Sequence, residues 1–308
     1  MNKDRKAATW PAYLGLARAG QLHERVEKAL ALLAHCRVCP HVCGVNRLRD
    51  ERGICRSGRW AMVSSASPHF GEEPPLVGRH GSGTIFFSQC NLSCLFCQNY
   101  EISQYDIGTP VGDETLARLM LGLQSMGCHN INLVSPSHVV PQILAALDLA
   151  VEGGLHIPLV YNSGGYDALP TLRLLDGVVD IYMPDMKYSS PTIAQRLSAV
   201  KEYPKVNRIA VREMYRQVGD LTIDDRGVAV RGLLVRHLIL PDQLAGTADI
   251  VRYLAERVSK NTYVNLMDQY RPCFRAMEVG QLSRRVSQEE YDESIRLARH
   301  AGLHRGFG

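Results

Sequence analysis

Cys90, Cys94 and Cys97 stand in the run SQCNLSCLFCQNY at the spacing C-x3-C-x2-C. Three thiolates on one short loop can hold three irons of a 4Fe–4S cube but leave the fourth without a ligand. An open metal position marks a catalytic site rather than a structural one. The bland alternative is a group of loop thiols, or an incomplete zinc site for which His80 or Cys128 would be the nearest further ligand. Cys36, Cys39, Cys43 and Cys55 form a second set, C-x2-C-x3-C-x11-C. Four thiolates can close a site, so this set suits structural zinc or an auxiliary 4Fe–4S cluster, and soft thiolates favour both. Four reduced thiols without metal are the plain alternative. Seven of the nine cysteines fall between Cys36 and Cys97, a bunching that scattered core cysteines would not produce.

The totals narrow the class. The chain has 308 residues, 45% hydrophobic and 21% charged, enough for one large domain or two smaller ones. A formal charge of +4, with the basic residues dispersed, gives no footprint for nucleic acid. No apolar run approaches the ~18 residues of a membrane span. The first residues, MNKDRKAATW, are charged and lead into no continuous apolar stretch, so no export signal and a cytoplasmic chain are expected. In a reducing compartment nine cysteines read as metal ligands or catalytic thiols, not as a disulfide scaffold.

Elements able to position these residues follow from periodicity. Residues 11–34 predict one amphipathic helix. Residues 36–83, rich in Cys, Gly, Arg and Pro, predict a loop-dominated segment in need of a staple, ending in the connecting loop HFGEEPPLVGRHGSG. From Gly83 onward short apolar strands alternate with helices. Strands are expected at 84–87, 131–134, 159–161, 178–183, 206–211, 233–240 and 262–267. Helices are expected at 113–126 with Asp113 as N-cap, and at 140–152, 169–175, 193–200, 248–259 and 289–301. Such a βα series implies a parallel sheet. Polar residues follow the strand ends: Ser135 and His138, Asn162 and Ser163, Asp185 and Lys187, Arg212, Asp242, Asp268 and Gln269. That pattern fits a barrel with its active face at the C-terminal strand ends, and no G-x-G-x-x-G follows the first strand. The expected architecture is α/β, a partial (β/α)6 TIM-like barrel over residues 80–275. A helix plus Cys-rich metal-binding extension precedes it at 1–79, and a helical tail closes the chain at 276–308.

C-x3-C-x2-C directly after the first strand of a βα series resembles the radical S-adenosylmethionine (radical SAM) superfamily. More narrowly, the chain is similar to homologues of the pyruvate formate-lyase activating enzymes, which act on glycyl radical enzymes. The resemblance implies a 4Fe–4S cluster on Cys90, Cys94 and Cys97 whose open iron chelates S-adenosylmethionine. Reductive cleavage would then give a 5′-deoxyadenosyl radical that abstracts hydrogen from a substrate. It also implies an electron donor of the flavodoxin or ferredoxin kind and, in the activating group, a protein substrate. Phe96 stands where the family has an aromatic residue near the adenine. Asn162-Ser163-Gly164-Gly165 stands where the activating enzymes have Asp-Thr-Asn-Gly, and Met183-Pro184-Asp185-Met186-Lys187 matches their Met-Leu-Asp-Leu-Lys. Those two runs imply a monovalent cation beside the S-adenosylmethionine carboxylate, with Asp185 and Lys187 facing the active site. Arg236-His237 occupies a place where polar active-site residues are expected. The family's Gly-Gly-Glu is replaced by Val134-Ser135-Pro136-Ser137-His138, where Ser135 or Ser137 can accept a hydrogen bond but supplies no negative charge.

Each sharp reading has a plain counterpart. Asp185 and Lys187 could be a solvated strand-end pair, Asn162 and Ser163 simple turn chemistry, and His138 a satisfied loop histidine. Cys128 and Cys273 read as small buried side chains. Asp268, Gln269, Tyr270 and Arg271 are the candidates for substrate recognition. Three functions compete: an activating enzyme, a radical SAM enzyme acting on a small molecule or peptide, and a non-enzymatic iron–sulfur or zinc protein for electron transfer or sensing.

Overall fold

The structure, a computed structural model, describes residues 10–307. The stretch before Trp10, read above for an export signal, lies outside the described residues. No helix among the described residues is long and apolar enough to cross a membrane.

The elements run α1 (Tyr13–Arg18), α2 (Gln21–Ala31), β1 (Ala61–His69), α3 (Pro74–Val77), β2 (Ser82–Phe87), α4 (Tyr100–Gln104), β3 (Thr109–Val111) and α5 (Asp113–Ser125). They continue with β4 (Ile131–Val134), α6 (Val140–Glu152), β5 (Leu159–Ser163), α7 (Leu169–Leu174), β6 (Ile181–Pro184), α8 (Pro191–Ser198), α9 (Tyr203–Val218) and β7 (Thr222–Ile223). The last are β8 (Ala229–Leu238), α10 (Thr247–Arg257), β9 (Tyr263–Met267) and α11 (Gln288–Ala301). β2, β4, β5, β6, β8 and β9 lie parallel, each paired with the next in that order. This is the expected partial barrel, open between β9 and β2 among the described residues.

Strand alternation sorts the side chains. On β5, Leu159 and Tyr161 join the core under the helices, while Val160 and Asn162 face the barrel axis. The lower tier of the axis is apolar and sealed: Leu76 of α3 packs with Val160, Ile181, Met183, Leu221 and Leu234. Above it the axis turns polar.

Four expectations are corrected. The helix over 11–34 is two helices, because Gly20 at φ 71° breaks it. The segment 36–83 is not loop alone: β1 pairs antiparallel with β2 and extends the sheet past the barrel edge. The strand at 206–211 is instead part of the sixteen-residue helix α9, since Ala210, Val211, Met214 and Val218 bury one face at helical spacing. Arg212 consequently sits on an exposed helix face and not at a strand end. Gly112, not Asp113, is the N-cap of α5; Asp113 begins the helix and pairs with Arg59 at 2.6 Å.

The C-terminal helix α11 is fixed by a capping box. The Ser287 hydroxyl accepts from Glu290 N, and the Glu290 carboxylate accepts from Ser287 N at 2.9 Å, from Asp242 N at 2.8 Å and from Arg284 at 2.8 Å. Arg284 pulls the Glu290 carboxyl down to about 2, against burial. Glu290→Ala should lower unfolding stability at neutral pH by about 1–2 kcal/mol, measured by thermal or urea denaturation. A depressed carboxyl contributes fully above its ordinary value near ~4.3, so the gap between wild type and variant should close as pH falls towards about 2.

Candidate active site

The chain leaving β2 turns sharply at Gln89, which adopts φ 70°, and lays the cysteine loop across the C-terminal mouth of the barrel. The loop is pinned from two sides. Leu95 N donates to Leu197 O at the end of α8, and Arg275 N, beyond β9, donates to Leu95 O, both at 2.9 Å. Cys90, Cys94 and Cys97 line one cavity of about 230 Å³. Each sulfur has a polar neighbour: Leu92 N donates to Cys90 Sγ at 3.4 Å, Ser198 Oγ donates to Cys94 Sγ at 2.9 Å, and Ser103 Oγ lies 3.2 Å from Cys97 Sγ.

The opposite wall comes from the strand ends. Ser135 and Ser137 follow β4, Asn162 and Ser163 end β5, Asp185 and Lys187 follow β6, and Phe96 closes one side. The Phe96 ring is held edge-on by Tyr188 and Tyr270. Ser135 takes a left-handed turn at φ 60°, which swings the segment after β4 over the mouth. Gly165 is required by packing. A Cβ on Gly165, whose φ is 75°, would collide with the Asp185 carbonyl and the Asn207 amide. Tyr203 Oη, hydrogen-bonded to Gly164 O and Lys187 N, and Asn207 Nδ2, which donates to Gly165 O and Asp185 O, tie the ends of β5 and β6 together.

Asp185 is the electrostatic centre. Its Oδ2 accepts from Lys187 Nζ at 2.6 Å and its Oδ1 from Arg236 Nε at 3.0 Å. Arg236 also donates to Asn162 Oδ1 at 2.8 Å and lies 3.9 Å from Glu72. Burial opposes every charge in this group. The two cations outweigh it and hold the Asp185 carboxyl below its ordinary value; Asp185 in turn holds Lys187 and Arg236 above theirs. The oxygens of Asn162 and Asp185 that the resemblance would offer to a monovalent cation are thus both engaged by the Arg236 guanidinium.

Two expected site residues, His237 and Met183, lie elsewhere, and His138 is a buried loop histidine outside the cavity. His237 points to the outer side of β8, fully buried, with Nδ1 2.6 Å from Met186 O and Nε2 2.9 Å from Thr247 Oγ1. Burial pushes it down to about 4, so it is a neutral structural imidazole away from the cavity. Met183 belongs to the apolar tier beneath the site. His138 is buried, bonds Ser88 O at 3.1 Å and is pushed down to about 3 by burial and then Arg47. Of the candidates after β9, Gln269 reaches the cavity; Tyr270 is buried and donates to Leu282 O. Asp268 and Arg271 are exposed, and Asp242 pairs with Arg284 at the surface.

The sequence gives no local signal for several residues the structure brings in. Glu72 and Glu73 of the expected connecting loop enter the barrel axis, Glu73 accepting twice from Asn265 Nδ2 of β9 at 2.8 Å. Asp167 is buried between β4 and β5, where it accepts from Tyr161 Oη at 2.8 Å and from Ser163 Oγ at 2.7 Å. Asn132, on the axial face of β4 and buried, has no hydrogen-bond partner for either side-chain atom among the described residues.

The thiols of the second set also gather. Burial first, then Cys55 and the neighbouring thiols, push Cys39 up to about 12, and burial also raises Cys43. Burial and then Cys94 likewise push Cys90 up to about 12. Burial thus favours the protonated thiol at Cys39 and Cys90, and only a bound cation would draw either out as a thiolate. Among the described residues no three His, Cys, Asp or Glu side chains converge closely enough to hold a single ion. In a 4Fe–4S cube each thiolate takes its own iron, so a cube asks for a wider spread of sulfurs than zinc does.

Known proteins place the chain. No family model matches it. Over 287 residues it is 33% identical to the uncharacterized protein MJ0674 of Methanocaldococcus jannaschii, covering 91% of this chain and 78% of that one. The chain belongs to the MJ0674 family. Its fold is similar to that of a radical SAM methyltransferase from Sphaerobacter thermophilus, at TM-score 0.51 and 14% identity over 73% of this chain. The match spans 65% of that enzyme, less than two thirds of its length. Streptococcus suis SuiB, solved with its precursor peptide SuiA, aligns at TM-score 0.45 and 10% identity over 71% of this chain and 46% of its own.

Proposed function

We propose that this member of the MJ0674 family is a radical SAM enzyme that takes a hydrogen atom from a polypeptide, and more narrowly an activating enzyme acting on a glycine of a glycyl radical partner. One observation carries the first part: Cys90, Cys94 and Cys97 share a single cavity with Asn162, Asp185 and Lys187 at the C-terminal ends of parallel strands. When bound there, a reduced 4Fe–4S cluster would supply the one electron that cleaves S-adenosylmethionine to methionine and a 5′-deoxyadenosyl radical.

The chain's own residues bind, orient and shield. Lys187 and Arg236 flank Asp185, so the wall offers two cations to the carboxylate of a bound amino acid. Ser163 is held by Asp167 at 2.7 Å, which fixes the segment after β5 against the cavity. Phe96 offers an aromatic face for a purine, and Phe87, Leu92, Val134 and Leu238 complete apolar walls that exclude water. Arg236, bonded to both Asn162 and Asp185, supplies from within the chain the positive charge that a monovalent cation would bring.

An aromatic rim supports the polypeptide substrate. Tyr100 and Phe274 stack at 5.1 Å, and Tyr105 packs edge-on to Phe274 while 61% exposed. Met277 is 68% exposed nearby in sequence, and Gln98 and Asn99, just before Tyr100, line the cavity. An aromatic cluster with an exposed Tyr105, starting directly after the cavity-lining Gln98 and Asn99, suits a protein surface better than a small polar metabolite.

Deuterium transfer tests the reading. With reduced, reconstituted protein, S-adenosylmethionine and a glycyl radical enzyme deuterated at glycine Cα, 5′-deoxyadenosine should carry deuterium and a glycyl radical should appear by electron paramagnetic resonance. 5′-Deoxyadenosine formed without label or protein radical would overturn the activating role.

A further inference from the structure

We propose that Cys36, Cys39, Cys43 and Cys55 hold a second iron–sulfur cluster that relays electrons to the cluster on Cys90, Cys94 and Cys97. The inference rests on the reading of those three cysteines as cluster ligands and adds the origin of the electron.

Three short bridges join the two sets. His41 stands two residues after Cys39. The His41 ring then bonds Asn91 O at 2.7 Å, and Asn91 follows Cys90. From Cys55, the next residue's carbonyl, Arg56 O, accepts from Gln89 Nε2 at 3.1 Å, and Gln89 precedes Cys90. The same Arg56 donates through Nη2 to Ser103 O at 2.7 Å, and the Ser103 hydroxyl lies 3.2 Å from Cys97 Sγ. Ser57 reinforces the second bridge by donating to Gln89 Oε1 at 2.6 Å. A segment needing only a structural staple has no reason to meet the catalytic loop on both sides of one ligand.

The second set also reaches the surface. Cys36, Cys39 and Cys55 are buried, whereas Cys43 is half-buried, backed by Gly53 and preceded by the exposed Val42. Electrons would enter at the Cys43 side and leave at the Cys39 and Cys55 side. The balance is one electron with no proton. A low-potential one-electron carrier protein is oxidised, the second cluster is reduced and reoxidised, and the first cluster ends reduced.

Iron and sulfide counts after anaerobic reconstitution, paired with reduction by reduced flavodoxin, test this. Wild type should bind about eight irons per chain, and Cys94→Ala and the Cys36→Ala/Cys39→Ala double variant about four each. Flavodoxin should still reduce the cluster left in Cys94→Ala. In the double variant flavodoxin should no longer reduce the remaining cluster, while dithionite should. A Cys94→Ala chain that binds no iron, binds zinc instead, or is not reduced by flavodoxin would overturn the proposal, even if the double variant fails to fold. Failure of wild type to cleave S-adenosylmethionine would overturn the enzyme reading and leave these counts standing.

Discussion

Asp185→Ala should destabilise the chain by about 2–4 kcal/mol, somewhat less than breaking a fully buried ion pair because the three side chains are only part-buried. Asp185 is the common acceptor for Lys187 Nζ at 2.6 Å and Arg236 Nε at 3.0 Å, and the three side chains are 15%, 18% and 20% exposed. After substitution Arg236 keeps Asn162 and a distant Glu72 at 3.9 Å, and Lys187 keeps no carboxylate. Asp185→Asn should lose less, because the amide oxygen still accepts one hydrogen bond. Urea denaturation of the three proteins gives the ranking directly. The pH dependence has a definite sign. The carboxyl is held below its ordinary value, so its contribution is whole above that value, near ~3.9, and is lost as pH falls below it. An Asp185→Ala chain as stable as wild type would mean that the triad does not support the mouth of the barrel. In the proposed enzyme this variant should also lose affinity for S-adenosylmethionine, since the two cations would no longer be held in place.

How far the sequence could be read follows from where each signal lies. β4, β5 and β6 are short apolar runs that end in polar residues, and local pattern suffices for them. β1 was hidden because AMVSSASPH has a Ser-rich exposed face and takes its order from pairing with β2. The run VNRIAV looked like a strand because a short apolar segment has no period of its own; Met214 and Val218 further on settle it as helix. Glu72 and Glu73 meet Arg236 and Asn265 more than 160 residues away in sequence, and nothing local announces such contacts. His237 is a different case. Adjacent strand residues face opposite sides, so placing Arg236 at the axis with Asn162 and Asp185 already sends His237 outward. The same parity puts Met183 on the axis but one tier below Asp185. The cysteine sets were legible as two closely spaced groups. Their adjacency was not, because it depends on His41, Arg56 and Gln89, ordinary residues in any one-dimensional reading.

Cys94→Ala should remove the proposed activity altogether. Cys94 is the middle cysteine of the triad and the one whose sulfur accepts from Ser198, itself bonded to Tyr188. Its loss leaves two thiolates, too few to present an open iron. Alanine is smaller and apolar at a buried loop position, so the fold should persist with a modest loss of stability. The decisive measurement is production of 5′-deoxyadenosine and methionine from S-adenosylmethionine by anaerobically reconstituted, dithionite-reduced wild type beside this variant. Equal amounts of both products from wild type, and none above background from Cys94→Ala, is the predicted result. Wild type that carries its iron and sulfide yet cleaves no more than Cys94→Ala would contradict it.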